Sequence, residues 1–207
     1  MNPEQVFNNI YEGNRWGGKK SISGTGSDED QTKTIIKELP TLIEKFAISS
    51  ILDAPCGDFY WMKEVSLERV SYLGVDVVDE LIKHNQKLYA KGNIQFRKIN
   101  LLRDKLLEMD LILCRDCLVH FSFKDIFLAL DNICNSHSKY LLTTTFPDRE
   151  MNQNIQMGQW RPLNLQAFPF SLPQPCAIIN EQCTEGGGAY SDKSLALWSI
   201  DTIREHL

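Results

Sequence analysis

An apolar run, Ile51-Leu52, ends at Asp53 and breaks into the turn Ala54-Pro55-Cys56-Gly57-Asp58-Phe59. Twenty-three residues beyond Asp53, a second apolar run, Tyr72-Leu73-Gly74-Val75, ends in another acid, Asp76. A strand, a glycine-bearing turn, a helix and a strand closed by a carboxylate form a nucleoside-binding layout. The turn lets backbone approach the ligand, and the second carboxylate accepts hydrogen bonds from ribose hydroxyls.

The alternation continues along the chain. Strands are expected at about 50–54, 71–76, 94–99, 110–114 and 140–144, the fourth (Asp110 to Cys114) almost wholly apolar, as a buried parallel strand should be. Between them the spacing predicts a helix around 58–68 with Trp61, Met62 and Val65, and another from Asp79 to Ala90 ended by Lys91-Gly92-Asn93. A third helix is capped by Ser122 and carries Ile126, Phe127, Leu130 and Ile133 on its apolar face. Further upstream, Ser27 and Asp30 have capping-box spacing ahead of a helical run (Ile35, Ile36, Leu39, Leu42, Ile43, Phe46) that Pro40 should kink or divide. Two later strand-like runs, 177–179 and 195–198, are joined without an obvious helix, which predicts an antiparallel edge. The fold class that results is α/β: a three-layer sandwich around a mostly parallel seven-stranded sheet with an antiparallel edge strand.

Two segments have no clear period. Residues 1–27 read as an N-terminal leader or lid: Tyr11 and Trp16 stand with Arg15, Lys19 and Lys20, and the small polar run Ser21–Ser27 follows. Residues 28–207 form the main domain, with an irregular, proline-rich insertion at about 146–175 that is too long for a simple connector and is expected on the substrate side. A formal net charge of -5 gives no overall pull toward nucleic acid or anionic membrane. No run of about 18 apolar residues is present, and the start lacks the basic and apolar regions of a signal peptide, so a cytoplasmic protein is expected. The six cysteines lie mostly in apolar segments and read as reduced thiols. Cys114 and Cys117 have no second CxxC to complete a zinc site, so no metal is expected.

The turn also selects among nucleotides. It lacks the G-x-G-x-x-G of a pyrophosphate site, and no G-x-x-x-x-G-K-[ST] occurs in the chain. Asp53 and Asp58 at its two ends repel a pyrophosphate and suit a ligand that carries an ammonium, a sulfonium and a ribose. Here the chain resembles the class I, Rossmann-like S-adenosylmethionine (SAM)-dependent methyltransferases, over roughly residues 45–145. Asp53–Asp58 looks like the family's first motif, D-x-G-x-G-x-G, with Pro55 and Phe59 in place of two glycines. Pro-Cys-Gly-Asp-Phe and the upstream Trp-Gly and Ser-x-Ser-Gly-x-Gly-Ser runs resemble those of a bacterial subgroup.

The resemblance implies a cofactor site of Asp53, Ala54, Pro55, Cys56, Gly57, Asp58, Asp76, Val77, Asn100 and Leu101, with Asp76 on the ribose and Asn100 near the adenine amino group. Phe59 should pack near the ligand. Arg115 would pair with the cofactor carboxylate or with Asp116. His120 and Asp116, at the mouth of the fourth strand, are the candidate catalytic bases for a hydroxyl acceptor. Trp160, Arg161, Asn164 and Glu185 are the candidate substrate contacts. The expected function is methyl transfer from SAM to a small polar acceptor such as a sugar or other hydroxyl compound. Protein or RNA methyl transfer, and a SAM-binding module without turnover, remain open beside it, and the motifs specify no oligomeric state.

Overall fold

The computed structural model describes residues 2–18 and 20–207; of the expected leader residues, Lys19 lies outside them. Seven strands, β1 (Ser50–Asp53), β2 (Ser71–Asp76), β3 (Ile94–Lys98), β4 (Leu111–Cys114), β5 (Tyr140–Thr145), β6 (Ala177–Asn180) and β7 (Ser194–Ser199), make one sheet in the order β3-β2-β1-β4-β5-β7-β6. Strands β1 to β5 run parallel. The reversed strand is β7, antiparallel to both β5 and β6, and it lies one position in from the edge.

Because successive side chains point to opposite faces, each apolar strand feeds two cores. Ile51, Leu111, Leu113, Leu142 and Leu195 pack against Ile35, Leu39, Leu42 and Ile43 of α2 (Glu29–Lys45), together with Ile82 of α3 (Asp79–Tyr89). On the other face Leu52, Ile112, Leu141, Ala196 and Trp198 meet Ile126, Leu130 and Ile133 of α4 (Phe123–Cys134) and Ile203 of α5 (Ile200–Arg204). Each fully buried Leu or Ile contributes about 1.5–3 kcal/mol by this burial.

Several local expectations are corrected. The segment 58–68 forms only a 3-10 turn, Met62–Glu64, instead of a helix. Gly57 and Phe59 both take left-handed backbone (φ 52° and 58°), which directs the chain out of a helical path. Phe59 turns inward against Tyr72, Tyr89 and Phe96 and does not line the ligand cavity where it was expected. Ser27 is no helix cap: it ends a 3-10 turn, Thr25–Ser27, and Asp28 stands at the N-terminus of α2 without a side-chain cap. Helix α2 runs unbroken through Pro40, carried by the buried Ile35, Leu39 and Leu42 on either side. Ala90, not Gly92, ends α3. The leader contains a helix, α1 (Pro3–Glu12), whose capping box joins Asn2 and Gln5.

Candidate active site

At the carboxyl ends of β1 and β4, where the strand order reverses, a cavity of about 430 Å³ opens between the turn and the leader. This is where an open α/β sheet places its ligand. Asp53, Ala54, Pro55, Cys56, Gly57, Asp58, Asp76, Val77, Asn100, Leu101 and Arg115, all expected around the cofactor, line it. The turn hangs between two strands: Ala54 N donates to Leu113 O and Cys56 N to Val75 O. Gly57 has no room for a side chain, since a Cβ there would lie 2.2 Å from Ser23 Oγ. The Cys56 thiol is a packed turn residue, pushed well above its ordinary pKa by burial.

The three acids of this half differ in what they hold. Asp53 is buried and accepts the Tyr72 hydroxyl on Oδ2 at 2.5 Å. Burial raises its pKa to about 7 against the opposing Tyr72 bond. Asp76 accepts Val78 N (2.9 Å) and Gly57 N (3.3 Å), and burial raises it to about 6. Asp58 is taken up by the leader: Ser21 Oγ and Ser23 Oγ donate to Oδ1 at 3.0 Å, and Ile22 N donates to Oδ2 at 2.9 Å. Its role in the structure is to clip the strap Ser21–Ser27 over the cavity. Asn100 Oδ1 already accepts Leu102 N at 3.0 Å, bracing its own turn.

Beyond β4 lies a buried ring of charge. Arg115 donates to Glu181 through Nε (3.2 Å) and Nη2 (2.8 Å) and gives a further bond to Gly26 O (2.8 Å). Of the two partners expected for Arg115, Asp116 is present at 3.3 Å; its main partner is Glu181. Lys193 closes the ring, with Nζ 2.7 Å from Asp116 Oδ2 and 3.4 Å from Glu181 Oε2. Arg115, Asp116 and Lys193 all line the cavity, and Asp116 is the most exposed of the ring, 26% against 5% or less for the others. Burial opposes its charge, but Lys193 and Arg115 outweigh it and hold the carboxyl at about 2. An acid held that low is an anion and hydrogen-bond acceptor at neutral pH, and a weak base.

His120 is the stronger base. Its Nδ1 lies 2.9 Å from Gln159 O, an atom that only accepts, so Nδ1 carries the proton and Nε2 keeps its lone pair. Burial lowers its pKa and keeps the ring neutral. Trp16 of the leader packs on it at 5.1 Å. Nearby, Trp160 meets Tyr190 edge-on at 4.9 Å, and both line the cavity with Glu185, which accepts Thr25 Oγ1 at 2.6 Å. Two expected substrate contacts are not there. Arg161 is buried and donates to Gln153 O, Leu118 O and Phe121 O, while Asn164 donates to Pro147 O and Arg149 O. Neither lines the cavity: Asn164 satisfies two carbonyls of the irregular 146–175 segment, and Arg161 ties that segment, through Gln153 O, to the Leu118 and Phe121 carbonyls after β4.

Lys193, Glu181 and Tyr190 were not anticipated. Their partners are distant in sequence, and only the folded hairpin of β6 and β7 brings them to β4. Among the described residues no cluster of three or more His, Cys, Asp or Glu side chains could hold a metal ion, and all six cysteines are free. No helix among them is long and apolar enough to cross a membrane.

No protein-family model matches the sequence, and no curated protein does. Solved structures do match. Human N-acetylserotonin methyltransferase, crystallised with SAM, aligns with 95% of this chain and 59% of its own at TM-score 0.63 and 13% identity. The N-methyltransferase NodS from Bradyrhizobium japonicum WM9 aligns over 83% of this chain and 97% of its own, at TM-score 0.61 and 15% identity. PH0226 protein from Pyrococcus horikoshii OT3 aligns over 81% and 88%, at TM-score 0.55 and 16% identity. The fold is that of the class I methyltransferases. The chain spans 59% of the length of the human enzyme. Within the methyltransferase fold, the strap and the α1 leader form the roof of the cavity: Phe7, Tyr11, Trp16 and Ile22–Ser27 all line it.

Proposed function

We propose that the chain is a SAM-dependent methyltransferase that methylates a hydroxyl of a small polar acceptor, sugars among the candidates. One observation carries the reading: a neutral imidazole of fixed tautomer, His120, lines the same cavity as the paired acids Asp53 and Asp76. The donor set fits the cofactor. Asp76 suits the ribose hydroxyls, Asp53 an ammonium, and Val77, Asn100 and Leu101 the purine. A pyrophosphate would meet the acids Asp53 and Asp76 beside this turn.

When bound, the cofactor supplies an electrophilic methyl group on a sulfonium. The chain's contribution is alignment and proton handling. Holding two reactants in line converts a bimolecular step into an effectively unimolecular one. The strap and Trp16 exclude water from above. Asp116, held as an anion by Lys193, accepts a hydrogen bond from the acceptor and orients it. His120 Nε2 takes the hydroxyl proton as the oxygen attacks. Trp160 and Tyr190 offer apolar faces of the kind that pack against a sugar ring or another small ring.

The test is transfer of labelled methyl from SAM to a panel of hydroxylated small molecules, beside RNA and protein acceptors. Label in a small hydroxyl compound supports the reading. Label only in RNA or protein moves the assignment to those acceptors, and SAM binding without transfer across the whole panel favours a non-catalytic module.

A further inference from the structure

Tyr72 lies outside the cavity, on β2, yet its hydroxyl reaches Asp53, an acid that lines it. The ring is 1% exposed and packed by Phe59 at 5.2 Å and Phe96 at 6.0 Å, so its direction is set by apolar contacts. The hydroxyl donates to Asp53 Oδ2 at 2.5 Å. No protein donor among the described residues meets Oδ1, and Asp53 lines the cavity. A carboxylate with one oxygen tied from behind presents the other in a fixed direction.

We propose that Tyr72 is a positioning residue for the cofactor: it anchors one oxygen of Asp53 and presents the other to the ammonium at the cofactor's amino-acid end. The inference rests on the cofactor reading above. The charged and titratable groups around Asp53 come from three elements. Burial raises its pKa, the Tyr72 bond from β2 lowers it, Asp76 from β2 raises it and Arg115 beyond β4 lowers it. Cys56 on the turn and Tyr72 itself are pushed well above their ordinary values and stay neutral. The ligand-free protein therefore holds a proton on Asp53 for part of the time at pH 7. The ligand's ammonium group needs the carboxylate, so binding expels that proton and weakens as pH falls. Loss of the Tyr72 hydroxyl removes a bond that favours the ionised form, and the pH dependence moves upward. Asp76 takes its bonds from Val78 and Gly57, so a difference made at Tyr72 reports Asp53.

The experiment is calorimetry of S-adenosylhomocysteine (SAH) binding to the full chain and to Tyr72→Phe, from pH 6 to 9, in buffers of different ionisation enthalpy. The wild-type chain releases a fraction of a proton on binding at pH 7, and its affinity falls by up to about tenfold per pH unit below that. Tyr72→Phe binds roughly tenfold more weakly at pH 7 but within about threefold of wild type at pH 9, with proton release shifted to higher pH. Equal affinity and equal proton release in both proteins overturn the inference. So does an equal loss at every pH, which marks lost packing alone. Absence of proton release from the wild type also overturns it, without need of the variant. A wild-type chain that binds no SAH at any pH refutes the cofactor reading itself, a distinguishable result.

Discussion

Gly57→Ala tests how the strap is held over the cavity. The new Cβ would sit 2.2 Å from Ser23 Oγ and 3.1 Å from its Cβ, so the serine must retreat by about 1 Å to reach an ordinary contact. That retreat breaks two bonds, Asp58 N to Ser23 Oγ at 3.1 Å and Ser23 Oγ to Asp58 Oδ1 at 3.0 Å. A hydrogen bond to a charged group contributes about 1.5–3 kcal/mol, a neutral one about 1, and part exposure reduces both. The strap therefore loses about 2 kcal/mol, or roughly 30-fold in its closed-to-open ratio, and the left-handed backbone at Gly57 adds about 1–2 kcal/mol of strain to the fold as a whole. The assay is trypsin cleavage after Lys20, an exposed residue beside the strap. When reclosing outpaces cutting, the rate follows the open population. Gly57→Ala should be cut about 30-fold faster than wild type. Ser23→Gly removes the same bonds from the other side, so the double variant should be cut no more than a few-fold faster than either single one. Equal rates for wild type and Gly57→Ala, or effects that simply add in the double variant, refute the reasoning.

Two further outcomes follow from the acceptor side. Glu181→Gln leaves Arg115 and Lys193 short of a buried anion; loss of one partner from such a pair costs about 3–5 kcal/mol, a fall of about 10 °C in Tm for a chain of this size, and an unchanged thermal midpoint would show the ring to be slack. His120→Gln should lower methyl transfer to a hydroxyl by about 10²–10⁴-fold and leave SAH affinity unaltered, and because burial lowers the His120 pKa, the acidic limb of the wild-type rate profile should lie below the usual imidazole range; steady-state kinetics against pH would reveal either failure.

The sheet and the residues gathered around the cavity from β1 and β2 were legible because local patterns encode them. Apolar runs such as Leu111–Cys114 must be buried on both faces, and the acids Asp53 and Asp76 mark strand ends where the chain leaves the core. What escaped is long-range or depends on unusual backbone. A helix across 58–68 fits the apolar spacing of Trp61, Met62 and Val65, but the left-handed Gly57 and Phe59 overrule it. Helix α1 did carry a legible sign, Asn2-Pro3 followed by Gln5, inside a segment with no clean period. Arg161 and Asn164 looked like ligand contacts because they are polar residues in an irregular segment. Such a segment has carbonyls without ladder partners, and these side chains satisfy three of them, Gln153 O, Pro147 O and Arg149 O, while Arg161 also bonds the Leu118 and Phe121 carbonyls after β4. Lys193 and Glu181 meet Asp116 and Arg115 across more than sixty residues of chain, a pairing no local spacing encodes.

Two acids lining one cavity, Asp53 at the end of β1 and Asp76 at the end of β2, are the centre of the functional reading, and binding measures it directly. Calorimetry with SAH and with NAD, on the wild-type chain and on Asp76→Ala, should give SAH binding to the wild type, none of NAD, and a loss of at least about 2 kcal/mol of SAH affinity on removal of the carboxylate. NAD binding without SAH, or SAH affinity untouched in Asp76→Ala, would contradict it.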